Sequence, residues 1–108
     1  MNGLQITTRP EGAGIVRVSI AGEIDMATAP QVTDAARDAV TSGAREVRLD
    51  LAEVTFLDST GIRTLLFAQR DAAEQGVLLR VVDAHHRVLR VLEITGALET
   101  LRDGATLQ

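Results

Sequence analysis

The stretch DSTG (58–61) places a carboxylate, two hydroxyls and a glycine between two apolar segments. Residues 54–57 before it resemble the end of a strand, whereas the residues after it have the apolar spacing of a helix. Side-chain oxygens at such a junction can accept hydrogen bonds from the free N–H groups of the first helical turn. One oxygen suffices for a cap and three are present, so a second role for this stretch remains open.

Two kinds of binding chemistry fit the stretch poorly. A helix start favours anions, but the chain contains neither a GxxxxGK[ST] nor a GxGxxG phosphate loop. A metal site would require Glu23, Asp25 and Asp58 to converge, and scattered carboxylates of this kind make a poor site. Neither a nucleotide nor a metal is therefore expected to bind here.

Two further possibilities use a serine hydroxyl. As a nucleophile, Ser59 would need a base from His85 or His86, and DSTG is not the GxSxG elbow of serine hydrolases. As a substrate, Ser59 would lie on the rim between sheet and helix, where a kinase can reach it. A phosphate adds roughly −1.5 to −2 charges, which a partner packed flat on the rim would have to accommodate. Capping and modification both remain open from the residues alone.

Composition predicts a single globular domain over residues 1–108, with 45% hydrophobic and 24% charged residues. The absence of cysteine excludes disulfides, thiolate metal sites and cysteine nucleophiles. A net charge of −4 argues against nucleic acid as the main partner. No signal peptide or membrane-length apolar run is present, so a cytoplasmic location is expected.

The elements that position the stretch follow from periodicity. A capping box at Thr28 and Gln31 predicts a first helix that stops at Gly43. Further patterns predict strands at 4–8, 15–21, 45–51 and 77–82, helices at about 60–75 and 84–95, and a short last turn at 98–101. The most continuously apolar strand, 77–82, is expected to be central.

Alternation in the strands predicts the architecture. In the strand at 45–51, Val47, Leu49 and Leu51 alternate with charged residues, so one sheet face should be covered by helices and the other wetter. The expected fold is α/β, a two-layer sandwich with a mixed sheet, helices mainly on one face and the order ββαβαβα.

These segments also resemble a known family. FLDSTGIRTLL (56–66) is similar to the signature of the STAS domain, the fold of bacterial anti-sigma factor antagonists. AGEID (21–25) resembles the family's G-E-[LI]-D after the second strand, and REVRLDLAEVTFLDSTG (45–61) resembles its third strand and phospho-loop. VLRVLEITGALE (88–99) resembles the closing helix. The resemblance covers nearly the whole chain.

The resemblance implies a non-enzymatic protein that binds an anti-sigma factor, itself a serine kinase with a histidine-kinase-like ATPase fold, and so frees a sigma factor. The kinase would phosphorylate Ser59 and end the interaction, and a PPM-type phosphatase would reverse it. ATP and magnesium would belong to these partners, so no cofactor, direct nucleic-acid contact or membrane contact is expected. The alternative is a STAS subunit of another assembly, either a stressosome component or a lipid-transport complex.

Residue roles carry over by position. Ser59 would be the phosphoacceptor, Asp58 its loop partner, Thr60 a further hydroxyl of the loop, and Gly61 the residue that keeps the rim open. Arg63 departs from the small residue common at its position and could either form an ion pair with the kinase or indicate a different class of partner.

Three more positions complete the expected partner surface. Glu23 and Asp25 would flank it from the GEID segment. Phe67 lies on a helix stripe beside the buried one, as either the edge of the core or an apolar anchor at the interface.

Overall fold

The computed structural model describes residues 3–103, and its elements follow the predicted order with a fourth helix at the end. The strands are β1 Gln5–Gly12, β2 Ile15–Ile24, β3 Glu46–Leu57 and β4 Leu78–Ala84. The helices are α1 Ala29–Thr41, α2 Ser59–Glu74, α3 His86–Thr95 and α4 Leu98–Asp103. The order ββαβαβα is confirmed, and the predicted last turn is the first part of α4.

The strands form one mixed four-stranded sheet in the order β1-β2-β3-β4. β1 and β2 are antiparallel, whereas β2, β3 and β4 run parallel because α1 and α2 cross between them. The carboxyl ends of β2 and β3 therefore lie side by side, where Ile24 pairs with Leu57. The segments before α1 and α2 are brought together at this edge.

The expectation that the fourth strand is central is wrong, because β4 is an edge strand. Leu79 and Val81 are buried, but Leu78 is 40% exposed. Helix α2 covers the outer edge: the buried Gln69 amide donates to the Leu79 carbonyl at 3.0 Å and to the Thr100 carbonyl at 2.9 Å. The continuous apolar run of β4 is therefore explained by helices that cover this edge strand, not by a central position in the sheet.

One sheet face and the helices form a single apolar core. Its central side chains come from β2, β3, α1, α2 and α3, among them Ile20, Leu49, Val32, Leu65 and Leu92, each at most 1% exposed. Burying an aliphatic side chain of this size contributes about 1.5–3 kcal/mol relative to leaving it exposed. The layered arrangement predicted from the strand alternation is confirmed.

The opposite sheet face carries a row of arginines. Arg17 pairs with Arg48, and Arg48 with Arg80, across three parallel strands. Glu46 compensates two of these charges, because one of its oxygens accepts from Arg48 Nε at 2.7 Å and Arg80 Nε at 3.0 Å. The Arg48 hydrogen bond, followed by the Arg80 contact, lowers the pKa of Glu46 against the opposing effect of burial.

Arg17 completes this charged face. Its guanidinium contacts Asp50 at 3.1 Å, Asp83 at 2.9 Å and Glu11 at 3.4 Å. Burial alone would lower the pKa of Arg17, but the hydrogen bond and charge of Asp50, with those of the other carboxylates, raise it. The face without helices is therefore a network of ion pairs.

The predicted capping box of α1 is wrong. Thr28 has helical dihedrals (φ −101°, ψ −12°) and its side chain makes no capping hydrogen bond. Its hydroxyl instead donates to the Glu23 carbonyl at 2.8 Å and accepts from the Asp25 N–H at 3.0 Å. Both partners are backbone groups of the turn before the helix, so the hydroxyl stabilises that turn and does not cap α1.

Candidate functional site

The DSTG stretch starts α2, as predicted, and Asp58 is its N-cap. Asp58 has extended backbone dihedrals (φ −109°, ψ −169°), and its Oδ1 accepts a hydrogen bond from the Gly61 N–H at 3.0 Å. The Asp58 carbonyl accepts the next N–H, that of Ile62, at 3.0 Å. The structural work of starting the helix is therefore done by Asp58.

Ser59 is the first residue of α2 and is exposed. Its hydroxyl takes part in none of the side-chain hydrogen bonds among residues 3–103. The neighbouring Thr60 is half-buried, and its carbonyl accepts from the Thr64 hydroxyl at 2.8 Å one turn later. Neither hydroxyl of the stretch is hydrogen-bonded within residues 3–103, and Ser59 is the more exposed of the two residues.

Gly61 is buried, so its predicted role in keeping the rim open takes a different form. A Cβ at this position would lie 2.9 Å from the Ile24 carbonyl oxygen and 3.1 Å from Ile24 Cγ2, and would also contact Leu57 Cδ1. Only a glycine lets the first turn of α2 approach the ends of β2 and β3 this closely. Gly61 thus determines how Ser59 is positioned.

The GEID segment leads into a tight turn beside the same edge. Asp25 Oδ1 accepts hydrogen bonds from the Ala27 N–H at 2.9 Å and the Thr28 N–H at 3.1 Å. The Asp25 carboxylate is therefore largely used within the turn, whereas Glu23 is exposed and its backbone pairs with Phe56 of β3. Of these two carboxylates, Glu23 is the more accessible.

The other chemistries considered for the site gain no support. Within residues 3–103, the carboxylates of Glu23, Asp25 and Asp58 do not gather into a group of three that could hold a metal ion. His85 caps α3, where its Nδ1 accepts from the Arg87 N–H at 3.2 Å. Its ring stacks on that of His86 at 4.3 Å, and no hydrogen bond among the described residues links either ring to Ser59.

One exposed stripe runs along α2 away from the cap. We call it the α2 stripe; its members are spaced at three or four residues and are Ser59, Arg63, Phe67, Arg70 and Glu74. Phe67 is 59% exposed, which excludes the core-edge interpretation. Together with Arg37 of α1, Phe67 and Arg70 line a groove of about 390 Å³ between the two helices.

Two exposed apolar residues at the carboxyl ends of β2 and β3 were not predicted. Met26 follows Asp25 in the turn and is 77% exposed, and Phe56 near the end of β3 is 46% exposed. The alternation of β3 changes after Leu51, so that Val54 and Leu57 are buried while Phe56 between them is exposed. The edge at the ends of β2 and β3, here called the Ser59 rim, comprises the exposed residues Glu23, Met26, Phe56 and Ser59 and the half-buried Asp58.

Comparison with known proteins identifies the family. The protein-family model described as "Mlab, STAS domain" matches residues 9–103. The chain belongs to the STAS domain family. The "Anti-sigma-B factor antagonist" of Bacillus subtilis is 32% identical over 81 residues, which cover 75% of this chain and 73% of that protein. Its counterpart in Listeria monocytogenes is 33% identical and is covered to 71%.

A solved structure shows the same fold. The anti-sigma factor antagonist from Mycobacterium paratuberculosis superposes with a TM-score of 0.79 at 27% identity, covering 92% of this chain and 83% of that one. Among residues 3–103 of this STAS chain, no helix combines the length and apolar character needed to cross a membrane. The predicted family and fold are confirmed together.

Proposed function

We propose that this protein binds an anti-sigma factor, thereby releases a sigma factor, and is switched off by phosphorylation of Ser59. The observation that carries the proposal is the division of roles at the start of α2. Asp58 supplies the cap and Gly61 the close packing, while the Ser59 hydroxyl is exposed and has no hydrogen bond within residues 3–103. A hydroxyl without a structural role at an accessible rim is suited to modification.

The relatives support the general role. Proteins named anti-sigma-B factor antagonist are 32–33% identical to this chain over three quarters of its length. Their matched lengths exceed two thirds of each relative, so the likeness concerns most of the protein. The partner proposed here is the anti-sigma factor, a serine kinase with a histidine-kinase-like ATPase fold.

The modification is a phosphoryl transfer. The Ser59 Oγ attacks the γ-phosphorus of ATP, the bond to the β-phosphate oxygen breaks, ADP leaves, and a base on the kinase takes the hydroxyl proton. ATP and Mg²⁺ are held by the kinase, and a PPM-type phosphatase hydrolyses the phosphoserine to restore the hydroxyl. This chain supplies an accessible nucleophilic oxygen at the start of a rigid helix.

The phosphate acts on the interface more than on the fold. A dianion beside the first turn of a helix is tolerated there, since negative charge near a helix N-terminus is stabilising by about 0.3–1 kcal/mol. A partner lying flat on the Ser59 rim would instead have to desolvate the phosphate, at a cost of several kcal/mol if it remains unpaired. The fold persists and the complex dissociates.

The proposed contact surface joins the Ser59 rim and the α2 stripe. Phe67 serves as the apolar anchor and Arg63 as the ion-pairing residue. Glu23 and Asp58 contribute negative charge at the rim. The half-buried Asp25 and Thr60 and the buried Gly61 act mainly by shaping the turn and the first turn of α2.

Phosphorylation is tested by intact-mass spectrometry after incubation with the cognate kinase and ATP. Wild type should gain one phosphate and Ser59→Ala none, whereas Thr60→Ala, the matched control for the adjacent hydroxyl, should be labelled like wild type. Equal labelling of Ser59→Ala would move the site elsewhere and contradict the proposal.

Binding is tested by calorimetry with the unphosphorylated protein. Ser59→Asp should weaken kinase binding at least tenfold, about 1.4 kcal/mol, with unchanged circular dichroism. Asparagine has nearly the same shape as aspartate but no charge, so Ser59→Asn should bind more tightly than Ser59→Asp. Equal affinities for wild type and Ser59→Asp would count against a charge-operated switch.

A second candidate is a STAS subunit of another assembly, such as a stressosome or a lipid-transport complex. It is favoured by the description of the matching family model, "Mlab, STAS domain". A stable complex purified with this chain that is insensitive to both Ser59→Ala and Ser59→Asp would support it over the phospho-switched antagonist.

A further inference from the structure

Arg63 lies one helical turn after Ser59 in α2. The two residues are four apart in the helix, and both are exposed. Residues at i and i+4 are neighbours on a helix surface, with Cβ atoms about 5–6 Å apart. Helical side chains lean toward the N-terminus, so the Arg63 side chain extends over the turn that begins with Ser59.

The Arg63 guanidinium is available for a new partner. It appears in no ion pair or hydrogen bond among residues 3–103. The nearest carboxylate along the chain, Asp58, directs Oδ1 to the Gly61 N–H. By contrast, the arginines of the sheet face without helices, such as Arg17 and Arg48, each form ion pairs with two or more carboxylates.

We propose that Arg63 is the intramolecular receiver of a phosphate on Ser59, so that modification adds a dianion and also withdraws a cation from the α2 stripe. The inference rests on the proposed phosphorylation of Ser59. A phosphoserine presents three acceptor oxygens, and a guanidinium can bind two of them with parallel N–H donors. An anion four residues before a cation is also the more favourable order for such a pair in a helix.

This pairing gives the switch a second component. In the unmodified protein Arg63 is free to pair with an acidic group of the partner, next to the apolar anchor Phe67. After phosphorylation the same guanidinium is engaged within this chain. The partner then meets a phosphate at the rim and lacks the cation one turn further along.

The test needs no kinase, because phosphoserine can be incorporated at position 59 of the full chain during translation. Phosphorus NMR then follows the second ionisation of the phosphate as pH is raised. A neighbouring guanidinium favours the dianion, so the second pKa of the phosphate should be lower in wild type than in Arg63→Gln by about 0.2–0.4 unit. The difference should shrink in about 1 M salt, where the screening length is about 3 Å.

Two further variants make the result specific. Arg70→Gln removes the same charge from the same stripe, but at a position about 16 Å along the helix from Ser59. That distance exceeds the screening length of about 8–10 Å at physiological salt. Arg70→Gln should titrate like wild type, while Arg63→Lys should retain part of the shift because it keeps the charge but loses the bidentate fork.

Identical titration curves for wild type and Arg63→Gln would overturn the inference, as would an equal change in Arg70→Gln. Either result leaves the kinase labelling of Ser59 unaffected. Conversely, a shift specific to Arg63 stands even if no kinase labels Ser59, in which case the pairing is retained and the proposed function fails.

Discussion

The contact at Gly61 makes one added methyl group a sharp test of how α2 is seated on the sheet. In Gly61→Ala the new Cβ would lie 2.9 Å from the Ile24 carbonyl oxygen and would also contact Leu57 Cδ1. The leucine side chain can rotate away, but a carbonyl at the end of β2 cannot yield without moving the strand. Inserting a methyl into a packed contact costs about 1–3 kcal/mol, and a backbone obstacle places this case in the upper half of that range.

An opposing effect reduces the net change. Alanine is favoured over glycine in helices and restricts the unfolded chain, which together stabilise by about 0.5–1 kcal/mol. Gly61→Ala should therefore lower the free energy of unfolding by about 1–2.5 kcal/mol. Gly3→Ala is the matched control: its Cβ would meet nothing within 4 Å, so its stability should stay within about 0.5 kcal/mol of wild type.

The measurement is urea unfolding followed by far-ultraviolet circular dichroism, because the chain has neither tryptophan nor tyrosine. The midpoint should fall while the denaturant slope stays constant, since the folded surface is little changed. A Gly61→Ala protein as stable as Gly3→Ala would refute the close approach of α2 to the end of β2.

Three further perturbations follow from the same contacts. Asp58→Ala should lower the free energy of unfolding by about 1 kcal/mol by removing the α2 cap, whereas Asp58→Asn, which also caps well, should lose only a few tenths; equal losses in urea unfolding would contradict this. Glu46→Gln should lower the free energy of unfolding by about 1 kcal/mol at neutral pH, because it removes the charge that pairs with two arginines. The loss is no larger because both arginines are about one-third exposed to solvent. The pKa of Glu46 is lowered in the folded state, so this stabilisation is present above the unfolded value of about 4.5 and is lost as pH falls through the folded value. Wild type and Glu46→Gln should therefore converge in acid unfolding, and a gap that is independent of pH would be inconsistent with the charge pairing. Gln69→Leu should cost about 1–3 kcal/mol in thermal unfolding, since it leaves two carbonyls without their amide donor, and an unchanged midpoint would show that α4 does not depend on that bridge.

The start of α2 could be predicted from the sequence because its causes are local. A capping residue, a strand before it and a 3.6-residue apolar period after it lie within one short segment. The exposed position of Ser59 follows from the same local pattern. Family resemblance adds the proposed role of that serine, which local chemistry alone leaves undecided between cap and switch.

Features that depend on distant segments were not predictable in this way. The apolar run in β4 indicates burial, but only the sheet order shows that α2 and α4 cover it at an edge. The burial of Val54 coincides with register shifts between β2 and β3, where the strand departs from strict alternation. Thr28 was predicted as a cap from its spacing, but its hydroxyl forms hydrogen bonds with backbone groups of the preceding turn.

The use of Asp58 as the cap has a consequence for regulation. Serine is itself a favoured N-cap, and a serine in that position would commit its hydroxyl to the first turn at about 1 kcal/mol of helix stability. A phosphate on a capping serine would then couple the switch to the stability of the fold. With the cap one residue earlier, the proposed phosphate on Ser59 would leave the Asp58–Gly61 hydrogen bond and the contact of α2 with the end of β2 in place. In the proposed switch, phosphorylation would therefore act on partner binding without removing the cap of α2.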